Sequence, residues 1–279
     1  MRGDRRWQID AGLARDLAAA LGWQPGDGAG ALAARFPEHV PMGSTAKLAA
    51  IAHDEVPPGE DPGPLARQLL EHIVARSAAP AGGASSPSWS CWVACTVMAA
   101  LVDAAGLGPV HVASTRRSDD GAPIVDFHGA VSVEVDGETW VCDPYFGAAT
   151  ALPSEPGVRV SVRGPLGTVA AERSADGGWA YELSWDLWDD LVLRFRRLGP
   201  ALDPGDVRAM AAISVTHSGV PLRPYARLHV GGGITDVSRS EDGTGVLHSW
   251  TSAAGRSEAA SSWDEAVEAF AGATGVRLT

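Results

Sequence analysis

The chain has 279 residues, 45% of them apolar, and a formal net charge of −12. That is enough apolar side chain for one large domain or two to three small ones with a real core. The excess of 34 acidic over 22 basic residues argues against nucleic acid and against an anionic membrane surface, both of which need clustered Lys and Arg. The three cysteines, Cys91, Cys95 and Cys142, form no even framework for disulfides, and no CxxC or HExxH pattern prepares a metal site, so no metal is expected. The opening MRGDRRWQID carries charge without an apolar run behind it, and no stretch approaches the length of a membrane span. A reduced, cytoplasmic setting follows as the expectation. Lys47 is the only lysine, and with abundant Ala, Gly and Arg the composition is that of a GC-rich genome.

Residues 1–90 read as a helical domain. DAGLARDLAAALGW has helical spacing and ends at Gly and Pro, ALAARFPEHV is a second helix broken near Pro37, and STAKLAAIAH and LARQLLEHIVARS are two more, separated by a Pro/Gly loop. APAGGASSPSWS reads as a flexible connector. Residues 91–200 read as a catalytic helix followed by strands. From Cys91 to Ala105 the sequence is apolar nearly all round, which predicts a buried helix, with Gly106 as its stop. PVHVASTRRS and GAVSVEVDGETWVC read as strands, the second folded on an Asp136-Gly137 hairpin turn. VRVSVRG, WAYELSW and LVLRFRRL add further strands.

Residues 201–279 read as a small α/β unit. Residues 203–212 form a short helix with Pro204 in its first turn, and PYARLHV, ITDVSRS and VLHSW make a sheet. Gly231-Gly232-Gly233 is a hairpin loop and not a phosphate loop, since no GK[ST] follows. SSWDEAVEAFAGATGV is a closing helix with Ser262 and Glu265 as a capping box.

Three residues carry the chemistry. Cys91 follows a serine-rich loop and opens the buried helix, where unpaired N–H groups and the positive dipole end favour a thiolate. His128 and Asp143 lie on the strands that follow. A thiol, an imidazole and a carboxylate are a nucleophile, its base and the group that orients the base. The Cys91 amide is one donor of an oxyanion hole, and the second donor cannot be read from sequence. Cys95, one turn along the helix, and Cys142, whose strand neighbour is Asp143, read as core. His39, His53, His72, His111, His229 and His248 have no partner logic.

With these residues in place the chain resembles the arylamine N-acetyltransferase family, within the transglutaminase-like Cys-His-Asp enzymes. The triad order matches, as do the apolar helix ending at Ala105-Gly106-Leu107 and the HGAVSVEVDGETWVCDPYFGA segment. PEHVPMGSTAKL is similar to the family's Pro-Phe-Glu-Asn region, Thr216-His217-Ser218 to a Ser-Thr-His-Pro-x-Ser stretch, and FAGATGVRL to the family's ending. The resemblance implies an α+β fold with an N-terminal helical bundle, a central antiparallel β-barrel and a C-terminal α/β lid. It implies ping-pong acyl transfer, with the acyl group loaded onto Cys91 from acyl-CoA and taken by a small-molecule amine. The departures are local. Pro87-Ser88-Trp89-Ser90 stands where the family has Arg-Gly-Gly before the cysteine, Gly43 stands where it has Glu, and Pro144-Tyr145-Phe146-Gly147 replaces a Gly-Phe-Gly turn. Losing the acid and the Arg together avoids leaving one charge buried and unpaired.

Trp89 and Trp92 flank the nucleophile and, with Phe127, Tyr145 and Phe146, are either pocket walls or core. Thr216, His217 and Ser218, with Arg223 nearby for phosphate, are either cofactor contacts or a polar strand turn. Family members in antibiotic pathways act as amide synthases, so a carrier-protein phosphopantetheine thioester is an alternative donor. Release as a macrolactam or by C–C bond formation shares the same triad. Water as the acceptor would give a thioesterase or amidase, and an inert thiol would mean a non-catalytic binding module. Donor, acceptor and oligomeric state are not written in the sequence.

Overall fold

A computed structural model describes residues 11–43, 84–85, 88, 91–108, 110–117, 125–144, 147–163, 167–175, 179–185, 192–202, 225–230, 233–240, 242–251 and 254–278. The helices expected over STAKLAAIAH, LARQLLEHIVARS and 203–212 lie outside them. The chain begins with α1 (Ala11–Ala20) and α2 (Ala29–His39). α2 does not break at Pro37 but runs through it. An internal proline costs one helical hydrogen bond. Here the ring is buried, and packing holds the helix across it: a Cβ on Gly147 would lie 2.6 Å from Pro37 Cγ.

The helix from Cys91 is α3 (Cys91–Ala104), and every residue from Trp92 to Val102 is buried. Its one buried hydroxyl is satisfied locally, Thr96 Oγ1 donating to the Trp92 carbonyl at 3.0 Å. α1, α2 and α3 share one apolar core that includes Leu17, Leu32, Phe36, Met98 and Leu101. Each such side chain contributes on the order of 1.5–3 kcal/mol on burial.

The sheet beneath α3 has eight antiparallel strands. They are β3 (Val110–Arg117), β4 (Val125–Val135), β5 (Glu138–Asp143), β6 (Ala148–Ala151), β7 (Arg159–Arg163), β8 (Gly167–Arg173), β9 (Trp179–Trp185) and β10 (Val192–Leu202). Their spatial order is β6-β5-β4-β3-β10-β9-β8-β7. β6 approaches β7 and β8 as the sheet curls, but no ladder closes it into a barrel among the described residues. The β4–β5 hairpin turns on Asp136 and Gly137, with φ of 53° and 82°, as the Asp-Gly pair predicts.

A second sheet holds β1 (Met42–Gly43), β11 (Tyr225–Val230), β12 (Gly233–Arg239), β13 (Gly245–Thr251) and β14 (Ala254–Ala260), in the order β1-β11-β12-β13-β14. One face packs on α4 (Trp263–Thr274) through Ala226, Leu228, Val237, Ala266 and Phe270. The expected cap is present, with Ser262 Oγ accepting from the Glu265 N–H at 3.2 Å. Glu265, however, reaches Ser261, accepting from its N–H at 2.9 Å, and does not complete the box on Ser262.

Two further short strands, β2 (Ala84–Ser85) and β15 (Val276–Arg277), pair in parallel. Ala84 and Ser85, within the stretch read as a flexible connector, are therefore paired near the C-terminal end of the chain, and most of that stretch lies outside the described residues.

The β11–β13 face away from α4 is mixed, with Arg227, His229, Asp236 and His248 beside Ile234 and Val246. Arg227 and Asp236 stand directly opposite each other, with Nε to Oδ2 at 3.2 Å. His229, two residues along β11, has its Nε2 buried without a hydrogen-bond partner. Burial, and then the Arg227 charge, push its pKa down to about 3. The unfolded chain takes up this proton near pH 6.5 and the folded chain does not, so folding weakens as pH falls from about 6.5 toward 3. The expected cost is roughly 1.4 kcal/mol per pH unit across that window. In melting curves between pH 4 and 7, His229→Phe should flatten the acid limb. An unchanged slope would show that the limb comes from other groups.

Candidate active site

Cys91 is the first residue of α3 and is partly exposed, while the rest of its first two turns is buried. Three residues before it, Ser88 is fully buried and donates to the Tyr225 carbonyl at 3.0 Å. Gly43 lies beside this contact. A Cβ there would come within 2.1 Å of Tyr225 O and 2.7 Å of Ser88 Oγ. The two departures from the family pattern, at Gly43 and before Cys91, thus meet in space. The Ser88 hydroxyl and a strand carbonyl occupy the volume that any side chain at 43 would need.

α3 lies on β4 through Trp92. A Cβ on Gly129 would approach Trp92 Cε3 to 2.9 Å and Cζ3 to 3.0 Å, so the indole rests on bare backbone. Cys91 and Trp92 are adjacent on the helix, and His128 and Gly129 are adjacent on the strand. Docking Trp92 on Gly129 therefore sets the backbone of Cys91 and of His128 at the same end of the helix–sheet contact. His128 pairs with Thr115 of β3, whereas Arg116 pairs with Asp126, which leaves Phe127 as the extra residue of a β-bulge. Bulges re-aim a strand locally and recur next to active sites.

Asp143 ends β5 and is 1% exposed. Val131 pairs with Cys142, and continuing that register places Asp143 opposite Ala130, two residues from His128. Positions so related are diagonal neighbours in an antiparallel pair, within reach of long side chains. A buried carboxylate needs a partner, and Asp143 is not without one.

Cys95 and Cys142 sit in the core, as expected of them. Burial pushes the Cys95 thiol well up, and the charges of Asp143 and then Cys91 add to the shift. Cys142 is pushed up to about 12 by burial and then by Asp143. Neither core thiol ionises near neutral pH.

Trp92 is packed against Gly129 and belongs to the helix–sheet contact. Trp89, Tyr145, Phe146, Thr216, His217, Ser218 and Arg223 lie outside the described residues. Sequence reading missed Gly129 and Ser88 as features of the site. Glycine in a strand beside a tryptophan-bearing helix is a signal of close backbone approach, and it was available for Gly129. Nothing in the sequence pairs Ser88 with Tyr225. Among the described residues no group of three His, Cys, Asp or Glu could hold a metal ion, and no helix is long and apolar enough to cross a membrane.

This α+β arrangement of helices and antiparallel sheets is shared by known structures. The arylamine N-acetyltransferase of Nocardia farcinica superimposes with a TM-score of 0.70 at 15% identity, over 99% of this chain and 94% of that one. The arylamine N-acetyltransferase of Mycobacterium abscessus gives 0.69 at 17% identity, over 100% and 95%. That of Mycobacterium marinum, solved in complex with CoA, gives 0.62 at 14% identity, over 88% and 84%. The fold of this chain is the arylamine N-acetyltransferase fold. No family model matches the sequence, and no curated protein matches it.

Proposed function

We propose that the chain is a thiol acyltransferase of the arylamine N-acetyltransferase type. The reading is supported by the fold, by Cys91 opening the buried helix α3, by His128 standing next in sequence to Gly129, on which Trp92 packs, and by the burial of Asp143. The Cys91 thiolate attacks the carbonyl carbon of an acyl thioester. A C–S bond forms, and the donor thiol leaves with the proton held by His128. An amine then attacks the acyl-enzyme, His128 takes the amine proton, the C–S bond breaks and an amide is released. Asp143 fixes the ring orientation and stabilises the imidazolium. In finer detail, the curled eight-stranded sheet serves as the family's barrel, and residues 201–279 as its lid.

The donor is read as acyl-CoA, which the M. marinum neighbour in complex with CoA supports. A carrier-bound phosphopantetheine thioester presents the same reacting atoms. Phe127 on the bulge is a pocket wall, as are Tyr145, Phe146 and Trp89. Thr216, His217, Ser218 and Arg223 are the cofactor contacts that the resemblance carries over.

The test is intact-protein mass after brief incubation with acyl-CoAs and acyl-pantetheines, beside Cys91→Ala. A mass gain of one acyl group that is absent in the variant is the expected result, followed by discharge to added amines. Discharge by water alone at the same rate would make the chain a hydrolase. A single labelled thiol under iodoacetamide at pH 7, at Cys91, is expected in the same preparation. An inert Cys91 with no adduct from any donor would end the catalytic reading.

A further inference from the structure

The segment that enters α3 is held twice by the C-terminal unit. Ala84 and Ser85 pair in parallel with Val276 and Arg277, which follow α4 after its C-cap Gly275. Three residues on, Ser88 is fully buried and hydrogen-bonds the Tyr225 carbonyl of β11 at 3.0 Å. β1 makes the notch for that contact. Met42 pairs with Arg227 and Gly43 with Ala226, and at Gly43 only a hydrogen fits between Tyr225 O and Ser88 Oγ. From Ser88 to Cys91 there are three peptide links, at most about 11 Å of chain. A fixed Ser88 therefore leaves little freedom for the start of α3, whose other constraint is Trp92 on Gly129.

We propose that Ser88 is a positioning residue for Cys91: its hydroxyl, seated on the Tyr225 carbonyl in the notch left by Gly43, fixes the first turn of α3 and makes the reactivity of the nucleophile depend on the C-terminal sheet. The proposal rests on Cys91 being the nucleophile. It makes residues 225–278, remote in sequence from Cys91, His128 and Asp143, part of the scaffold that aims the thiol. Small displacements at a reacting atom are costly, with about 1 Å sufficient for a hundredfold loss.

The test uses the full chain and iodoacetamide, with the rate of Cys91 alkylation followed against pH by peptide mass. Ser88→Ala is expected to slow alkylation at pH 7 by about tenfold and to move the rate–pH profile upward, with the circular dichroism spectrum retained. Ser88→Thr, which keeps the hydroxyl, is expected to restore the parent profile to within about threefold. Gly43→Ala, which drives a methyl group at the same carbonyl with Ser88 present, is expected to move the profile in the same direction. If Ser88→Ala does not fold, Gly43→Ala decides the matter, read at a temperature where its spectrum is that of the parent. A parent-like profile in the folded variants would overturn the positioning role alone, with the acyltransferase reading intact. A parent Cys91 no faster than a cysteine in an unfolded peptide would overturn both.

Discussion

Asp143→Asn is expected to lower the acylation rate of Cys91 by about 10³–10⁴-fold while leaving the chain folded. Asn matches Asp in shape, so the end of β5 keeps its packing. What changes is charge and hydrogen-bonding sense. Asp143 is 1% exposed, so its carboxylate acts on its surroundings with little screening by water. The amide cannot balance an imidazolium, and it favours the wrong ring tautomer. Two internal reporters accompany the loss. Asp143 contributes to the upward shifts of Cys95 and Cys142, and removing its charge relieves that part of each while burial maintains the rest. Single-turnover acylation followed by mass gives the rate, and melting temperature confirms the fold. A loss smaller than tenfold would remove Asp143 from the catalytic unit.

What the sequence disclosed follows the strength of its local signals. The helix from Cys91 to Ala104 is legible because eleven buried residues in succession leave no polar face. The β4–β5 hairpin is legible because Asp136-Gly137 supplies two positive φ angles between alternating runs. The capped α4 announces itself through Ser262 and Glu265. In each case a few neighbouring residues determine the conformation.

The elements that escaped are those made by partners distant in sequence. β8 (GTVAAER) and β14 (AGRSEAA) carry weak strand propensity and exist because β7, β9 and β13 pair with them. β1 and β2 have two residues each and are strands only through Arg227 and Val276. Pro37 suggests a helix end, yet packing against Gly147 outweighs the lost hydrogen bond. At the site, residue types and their order are what single out Cys91, His128 and Asp143 as candidates. How Cys91 is held is written in a glycine 48 positions upstream and a carbonyl on β11, and neither has a sequence pattern.

Gly129→Ala is the second large effect. Gly129 is buried, follows His128 directly and lies flat under the Trp92 ring. The new methyl carbon would start at 2.9 Å from Cε3, 3.0 Å from Cζ3 and 3.3 Å from Cδ2, well inside the 3.5–4.0 Å at which carbons rest. A fused ring cannot bend a single atom aside, and Trp92 is 3% exposed with core on its other sides. The helix or the strand must therefore shift by several tenths of an ångström, and the shift falls on the residues next to each contact, Cys91 and His128. Overpacking of this kind costs about 1–3 kcal/mol of stability. The larger expected loss is in acylation, about a hundredfold, because near-attack geometry tolerates less displacement than folding does. Trp92→Leu in the Gly129→Ala background removes the opposing ring and is expected to return part of the activity while lowering stability further. Acylation and melting temperature, measured on both single variants and the double, separate the two effects as a double-mutant cycle. If Gly129→Ala acylates within threefold of the parent, Trp92 on Gly129 is packing alone, and the alignment of Cys91 with His128 is set elsewhere.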